Sequence, residues 1–333
     1  MSRYRGPRRL RRLDRSVLMA ASLTAVSVTA SGCVVVHGER KVLPATSKDE
    51  AATALAEFTT AYNKADEAYD SSLDADHVTG PLGAIDEARL KAGRASNPGG
   101  NPAHSPLKFS DVRYTIPKKA GWPRWFLADA GANKGSAARW LMVFTRDSLT
   151  ERWQVSYLTL VAPGKVPEFK KDADGWAEAV PANSTGLAVA PGDLGTDYAT
   201  YLQQGGTKFA AGSHTSTWRE QREKNKSKPG LARQYIDEPL SQGDFAPVAL
   251  RTADGGALVF FATRHFEKQT AAAGTSVPAP GKDVDALTTG EIKQSLTLEF
   301  VSNEVALAPK AGSGDQRVTV LGRIQGLTAA KGG

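Results

Sequence analysis

The chain has 333 residues, 41% hydrophobic and 23% charged, an ordinary globular composition that excludes wholesale disorder. Its formal net charge of +7 sits at the start: positions 1–32 hold seven arginines and one aspartate, which leaves about +1 for the rest and gives no case for a nucleic-acid partner. The lone cysteine, Cys33, excludes an internal disulfide.

Arg3, Arg5, Arg8, Arg9, Arg11, Arg12 and Arg15 precede an uncharged, mostly apolar run from Val17 to Ala30. At about 14 residues this run is short for a permanent span, which takes roughly 20, and it suits the core of a signal peptide. Ala30, Ser31 and Gly32 then lead to Cys33. Small residues before a cysteine at this place resemble the bacterial lipobox. Ala30 stands where that family usually has leucine. The resemblance implies diacylglycerol on the Cys33 thiol, cleavage just before it, and a lipid anchor at the outer face of the cell membrane. Such lipidation consumes a thiol that an exported protein would otherwise leave free. The expected organisation is a signal peptide (1–32), a lipidated tether (33–46), a first α+β domain (47–165), a linker (166–196) and a second α+β domain (197–330).

The first predicted helix runs from about Ser47 to Asp70. Ser47 and Glu50 have the spacing of a capping box, and Ala51, Leu55, Phe58, Tyr62, Ala65 and Tyr69 recur every three or four residues. A second short helix is expected at 83–92, then a loop over 93–106 that is rich in Gly, Pro and Asn. Strands are predicted at 107–116, 125–128, 139–146 and 152–161. In the last, alternation puts Trp153, Val155, Tyr157, Thr159 and Val161 on one face. The order then repeats. A helical region is expected from 197 through 218, a solvated charged stretch over 219–230, strands at 245–251, 257–265, 291–301 and 317–327, and an irregular excursion over 271–290. Runs of helix followed by runs of strand imply α+β domains with antiparallel sheets. A faint echo, GSAARWLMVFTR against DGGALVFFATR, links the halves.

Helices packed on a curved antiparallel sheet resemble the cystatin-like cone of the nuclear-transport-factor-2 superfamily in element order. The lipobox and the Ala, Gly and Arg content resemble the uncharacterised lipoproteins of high-GC actinobacteria.

Chemistry leaves little trace. His37, His77, His104, His214 and His265 are far apart and are read mostly as surface or loop residues; none forms an HExxH pair. Asp74-Ala75-Asp76 and Asp172-Ala173-Asp174-Gly175 lack the later ligands of a calcium loop and read as solvated turns. Ser105 and Lys108 have the Ser-x-x-Lys spacing of penicillin-binding enzymes, but Pro106 opposes the helix that motif needs. No metal, cofactor or catalytic residue is assigned. Trp122, Trp125, Trp140 and Trp153 fall within one predicted sheet. Trp140 and Trp153 read as core, and Trp122 and Trp125 are the candidate ligand contacts. The expected function is a non-catalytic envelope module that binds a protein partner or small ligand. The alternative is an envelope enzyme with an acid–base pair in a cone-shaped pocket.

Overall fold

A computed structural model describes residues 41–135 and 137–333, so the signal peptide, Cys33 and His37 lie outside the described residues. The folded chain starts before the first helix. Strand β1 (Leu43–Pro44) pairs with β3 (Pro117–Lys119), and Ala45 and Thr46 are buried. These residues were expected to belong to the tether.

Helix α1 (Lys48–Ala68) is capped as predicted, with the Ser47 hydroxyl accepting from the Glu50 amide at 3.1 Å. Glu50 does not close the capping box. Its carboxylate turns to the sheet, accepts from Trp153 Nε1 at 3.1 Å and pairs with Arg146 at 3.0 Å. Helix α2 (Gly80–Ser96) is longer than predicted at both ends. Strands β2 (Phe109–Thr115), β4 (Arg124–Ala132), β5 (Arg139–Arg146) and β6 (Gln154–Val161) form an antiparallel sheet in the order β2-β4-β5-β6. Val143 faces Tyr157 while Phe144 faces Val155, so Ser156 is an extra residue, a bulge. The bulge overturns the predicted single face of β6. Trp153, Val155 and Leu158 pack towards α1, whereas Tyr157 and Val161 pack on the other side.

The segment 166–196 is stitched into the fold. Strand β7 (Ala177–Glu178) pairs with β3, Ala179 bridges to Leu250, and Leu187 bridges to Lys310. The helix predicted over 197–218 is two helices, α3 (Leu194–Gln204) and α4 (Ser216–Asn225), because Gly205 and Gly206 both adopt positive φ and end the first. The stretch expected to be solvated contains α4, whose Arg222 is buried.

Strands β8 (Ser227–Lys228) and β9 (Leu231–Leu240) had no predicted counterpart. They are followed by β10 (Val248–Arg251) and the long β11 (Ala257–Ala271). The excursion holds α5 (Lys282–Leu287) and β12 (Thr288–Thr289), and β13 (Ser295–Ala308) and β14 (Thr319–Gly332) complete the chain. This second sheet runs β12-β14-β13-β11-β9-β8, with β10 also paired to β11. The molecule is therefore α+β, with mainly antiparallel sheets.

Strand alternation fixes how the layers meet. Phe126, Ala128, Met142 and Phe144 face α1, where Ala51, Leu55 and Phe58 cover them. On the opposite face, Trp125, Leu127, Leu141, Val143 and Tyr157 meet Leu250, Leu258, Phe260 and Ala262 of the second sheet. Ala257, Val259 and Phe261, one residue out of phase, turn outward to Leu194, Tyr198, Tyr201 and Leu202 of α3. The layers are α1, first sheet, second sheet, α3. Residues 140–144 of β5 and 257–262 of β11 are continuous apolar runs because both of their faces are covered there. Among the described residues no helix is long and apolar enough to cross a membrane.

Candidate functional site

Trp122 and Trp125, 3 residues apart in sequence, line one cavity of about 340 Å³. Its other lining residues are Pro123, Thr145, Asp147, Ser156, Gly243, Asp244, Ala246 and Val248. The cavity lies where the first sheet meets the turn before β10. Trp125 is buried in the layer between the sheets, and Trp122 is half-buried on the loop that leads into β4. The bulge at Ser156 brings that residue to the cavity wall.

Both walls are held by neighbouring side chains. The guanidinium of Arg124 lies 5.0 Å from the Trp122 ring centroid and that of Arg146 lies 5.7 Å from it. Arg146 also stacks on Trp153 at 4.5 Å, and Arg124 donates to the Pro44 carbonyl at 3.2 Å. The facing turn is tied by the Tyr157 hydroxyl, which donates to the carbonyls of Phe245 at 2.8 Å and Ala246 at 3.1 Å. The Thr79 hydroxyl donates to Asp244 at 2.5 Å. Gly80 has φ +53°, and a Cβ there would overlap the Asp244 carbonyl oxygen, so only glycine lets α2 approach this turn. Partial burial, then the nearby charges of Asp244 and Glu151, raises the Asp147 pKa above the ordinary carboxylate value. Sequence reasoning missed Asp147, Ser156 and Asp244. Asp147 and Asp244 are far apart in the chain, and no linear spacing links them.

A second group of polar residues crosses the other sheet beneath α4. Asp237 on β9 sits opposite His265 on β11, whose Nδ1 contacts it at 2.5 Å. His265 Nε2 lies 2.9 Å from the Thr263 hydroxyl, which donates to Glu304 on β13 at 2.8 Å. Arg222 meets both oxygens of Asp237, at 2.9 and 2.8 Å. Arg222 and Arg323 flank Trp218, at 3.8 and 3.1 Å from its ring centroid. Burial pushes the Glu304 carboxyl up and lowers the Arg323 pKa. His265 is therefore a core residue, against the surface or loop reading. The Asp-His-Thr order has the sequence of groups found in activated nucleophiles, but Thr263 is 0% exposed, so no substrate can reach its hydroxyl. The cluster fixes α4 on the sheet.

Asp74 also departs from expectation. It is buried rather than a solvated turn residue, and neither of its oxygens has a donor among the described residues. Burial, then the neighbouring Asp86 carboxylate, pushes the Asp74 pKa up to about 8. Asp172 does lie in a solvated turn, paired with Lys118 at 2.6 Å. Ser105 and Lys108 lie outside any helix. Trp140 and Trp153 are core. Among the described residues no three His, Cys, Asp or Glu side chains are grouped to hold a metal.

The chain matches the family described as domain of unknown function (DUF8094) over residues 42–332. It is 69% identical over 332 residues to an uncharacterized lipoprotein of Streptomyces coelicolor, covering 100% of both chains. It is 60% identical over 332 residues to an uncharacterized lipoprotein of Streptomyces avermitilis, again covering 100% of both. A further uncharacterized lipoprotein of S. coelicolor is 31% identical over 209 residues, 60% of this chain and 59% of that relative. No solved structure matches the chain significantly. The chain belongs to the DUF8094 family and groups with lipoproteins of Streptomyces.

Proposed function

We propose that this protein is an extracytoplasmic lipoprotein, anchored through Cys33 to the outer face of the cell membrane, that binds a small ligand or a partner side chain without catalysis. The anchor is supported by the lipobox-like Ala30-Ser31-Gly32-Cys33 and by full-length relatives named as lipoproteins. The observation that carries the binding role is the 340 Å³ cavity at Trp122 and Trp125, whose walls are held by stacked arginines and a fastened turn. Such pre-organisation lowers the entropic cost of binding. Confinement at the membrane raises the effective concentration of a weak partner. The repeated plan of helices and antiparallel sheet supports reading 47–165 and 197–330 as two related α+β, cystatin-like units.

The test is cross-linking of the lipidated protein in native membranes, followed by mass spectrometry of co-eluting proteins and small molecules. A partner or metabolite lost on Trp122→Ala supports the cavity, and one lost on Cys33→Ala shows dependence on the anchor. Identical recovery from the parent and Trp122→Ala removes the cavity from the account. The enzyme alternative is favoured by one feature, the buried Asp74 beside Asp86, whose pKa is pushed up to about 8. Turnover of a bound metabolite that disappears in Asp74→Asn while binding persists would establish it.

A further inference from the structure

The charge of the cavity walls narrows the ligand class. Asp147 and Asp244, both exposed at the cavity mouth, are the two charged residues among those lining it, and both are carboxylates. No lysine or arginine lines it. Arg124 and Arg146 lie against the Trp122 ring without lining the cavity, and are engaged elsewhere, Arg146 with Glu50 and Arg124 with the Pro44 carbonyl. Lys119 donates to the Pro123 carbonyl at 2.7 Å and also stays outside the lining. Asp244 accepts from Thr79 through one oxygen, while the Asp147 side chain has no hydrogen-bond or ion-pair partner among the described residues.

We infer that the cavity recognises an organic cation, with an ammonium group held between Asp147, Asp244 and the two indole rings. This rests on the reading of the cavity as a binding site. Indole faces attract cations through the ring quadrupole, and the attraction grows when the cation leaves water. The two carboxylates supply the countercharge and repel an anion. They repel each other, which adds to the upward shift that burial gives Asp147. A cation relieves that repulsion, so it gains from both groups at once. A neutral sugar would stack on the indoles but leave the repulsion in place. The mixture of apolar floor and few polar groups suits a compact ammonium compound.

The test uses the purified full-length lipoprotein in detergent micelles and three probes: choline, N-acetylglucosamine and acetate. Binding is followed by calorimetry and tryptophan fluorescence, at low and high salt. The expected result is choline binding that weakens with salt, and no acetate binding. Asp147→Asn removes charge without removing a contact of the fold, and is expected to weaken choline binding about fivefold or more and to reduce its salt dependence. Trp122→Ala is expected to abolish it. Sugar binding that Asp147→Asn leaves unchanged, with no choline binding, overturns the cation inference and keeps the cavity as a binding site. No binding of any probe, with membrane cross-linking unaltered by Trp122→Ala, overturns both. Choline binding that is insensitive to Asp147→Asn and to Asp244→Asn overturns the role of the carboxylates.

Discussion

Asp74 carries a pH dependence that its neighbours set. The folded chain holds the proton of Asp74 to about pH 8, and an unfolded aspartate releases it near 4. Between those values the folded state binds more protons, so stability falls as pH rises across the window. Asp74→Asn keeps the shape and removes the ionisation. In thermal melts the variant is expected to gain several degrees over the parent at about pH 9, and little or nothing at about pH 4. A parallel loss at both pH values would remove the Asp74 proton from the explanation. Asp237 poses the opposite case, because its removal leaves Arg222 buried without its partner. Asp237→Ala is expected to cost about 3–5 kcal/mol in urea denaturation, against less than about 0.5 for Ile236→Ser at the exposed neighbouring position. Neither residue was legible in the sequence. Asp74 looks like part of an acidic turn, and the Asp237 and His265 pair exists only through strand register.

Elements with a strong local signal were legible. The stripe on α1 is buried at Ala51, Leu55, Phe58 and Ala65, and Ser47 caps the helix. β5 has the predicted limits, 139–146, because a continuous apolar run between turns has one sensible reading. β9 was missed for the opposite reason. Its sequence, LARQYIDEPL, has polar residues on both faces, with Arg233 and Asp237 turned inward to partners supplied by other elements. The bulge at Ser156 likewise had no local signature. The approach of α2 to the turn before β10 depends on Gly80. Gly80→Ala places a side chain at positive φ and against backbone, with an expected cost of about 1–3 kcal/mol. Denaturation measures that cost. The same variant is expected to weaken ligand binding at Trp122, because the shifted turn carries Asp244.

At the scale of the molecule, the α+β class and its antiparallel sheets were readable, but the way the two sheets meet was not. Residues 140–144 of β5 and 257–262 of β11 are apolar on both faces, so sequence alone does not say which face takes a helix and which takes the other sheet. The shared layer has an energetic consequence. Phe260 is fully buried there against Tyr157, and Phe260→Ala is expected to cost about 3–5 kcal/mol. Because that layer belongs to both sheets, fluorescence from the tryptophans of the first half and far-ultraviolet dichroism are expected to report one coincident transition, shifted together in the variant. Two separated transitions would show halves that unfold independently. The same layering sets a clock for the backbone. The amides of β5 and β11 lie in the inner strands of both sheets, shielded by apolar layers above and below. In deuterated buffer they are expected to hold their protons longest, exchanging only when the whole fold opens, while the edge amides of β9 exchange through small local excursions.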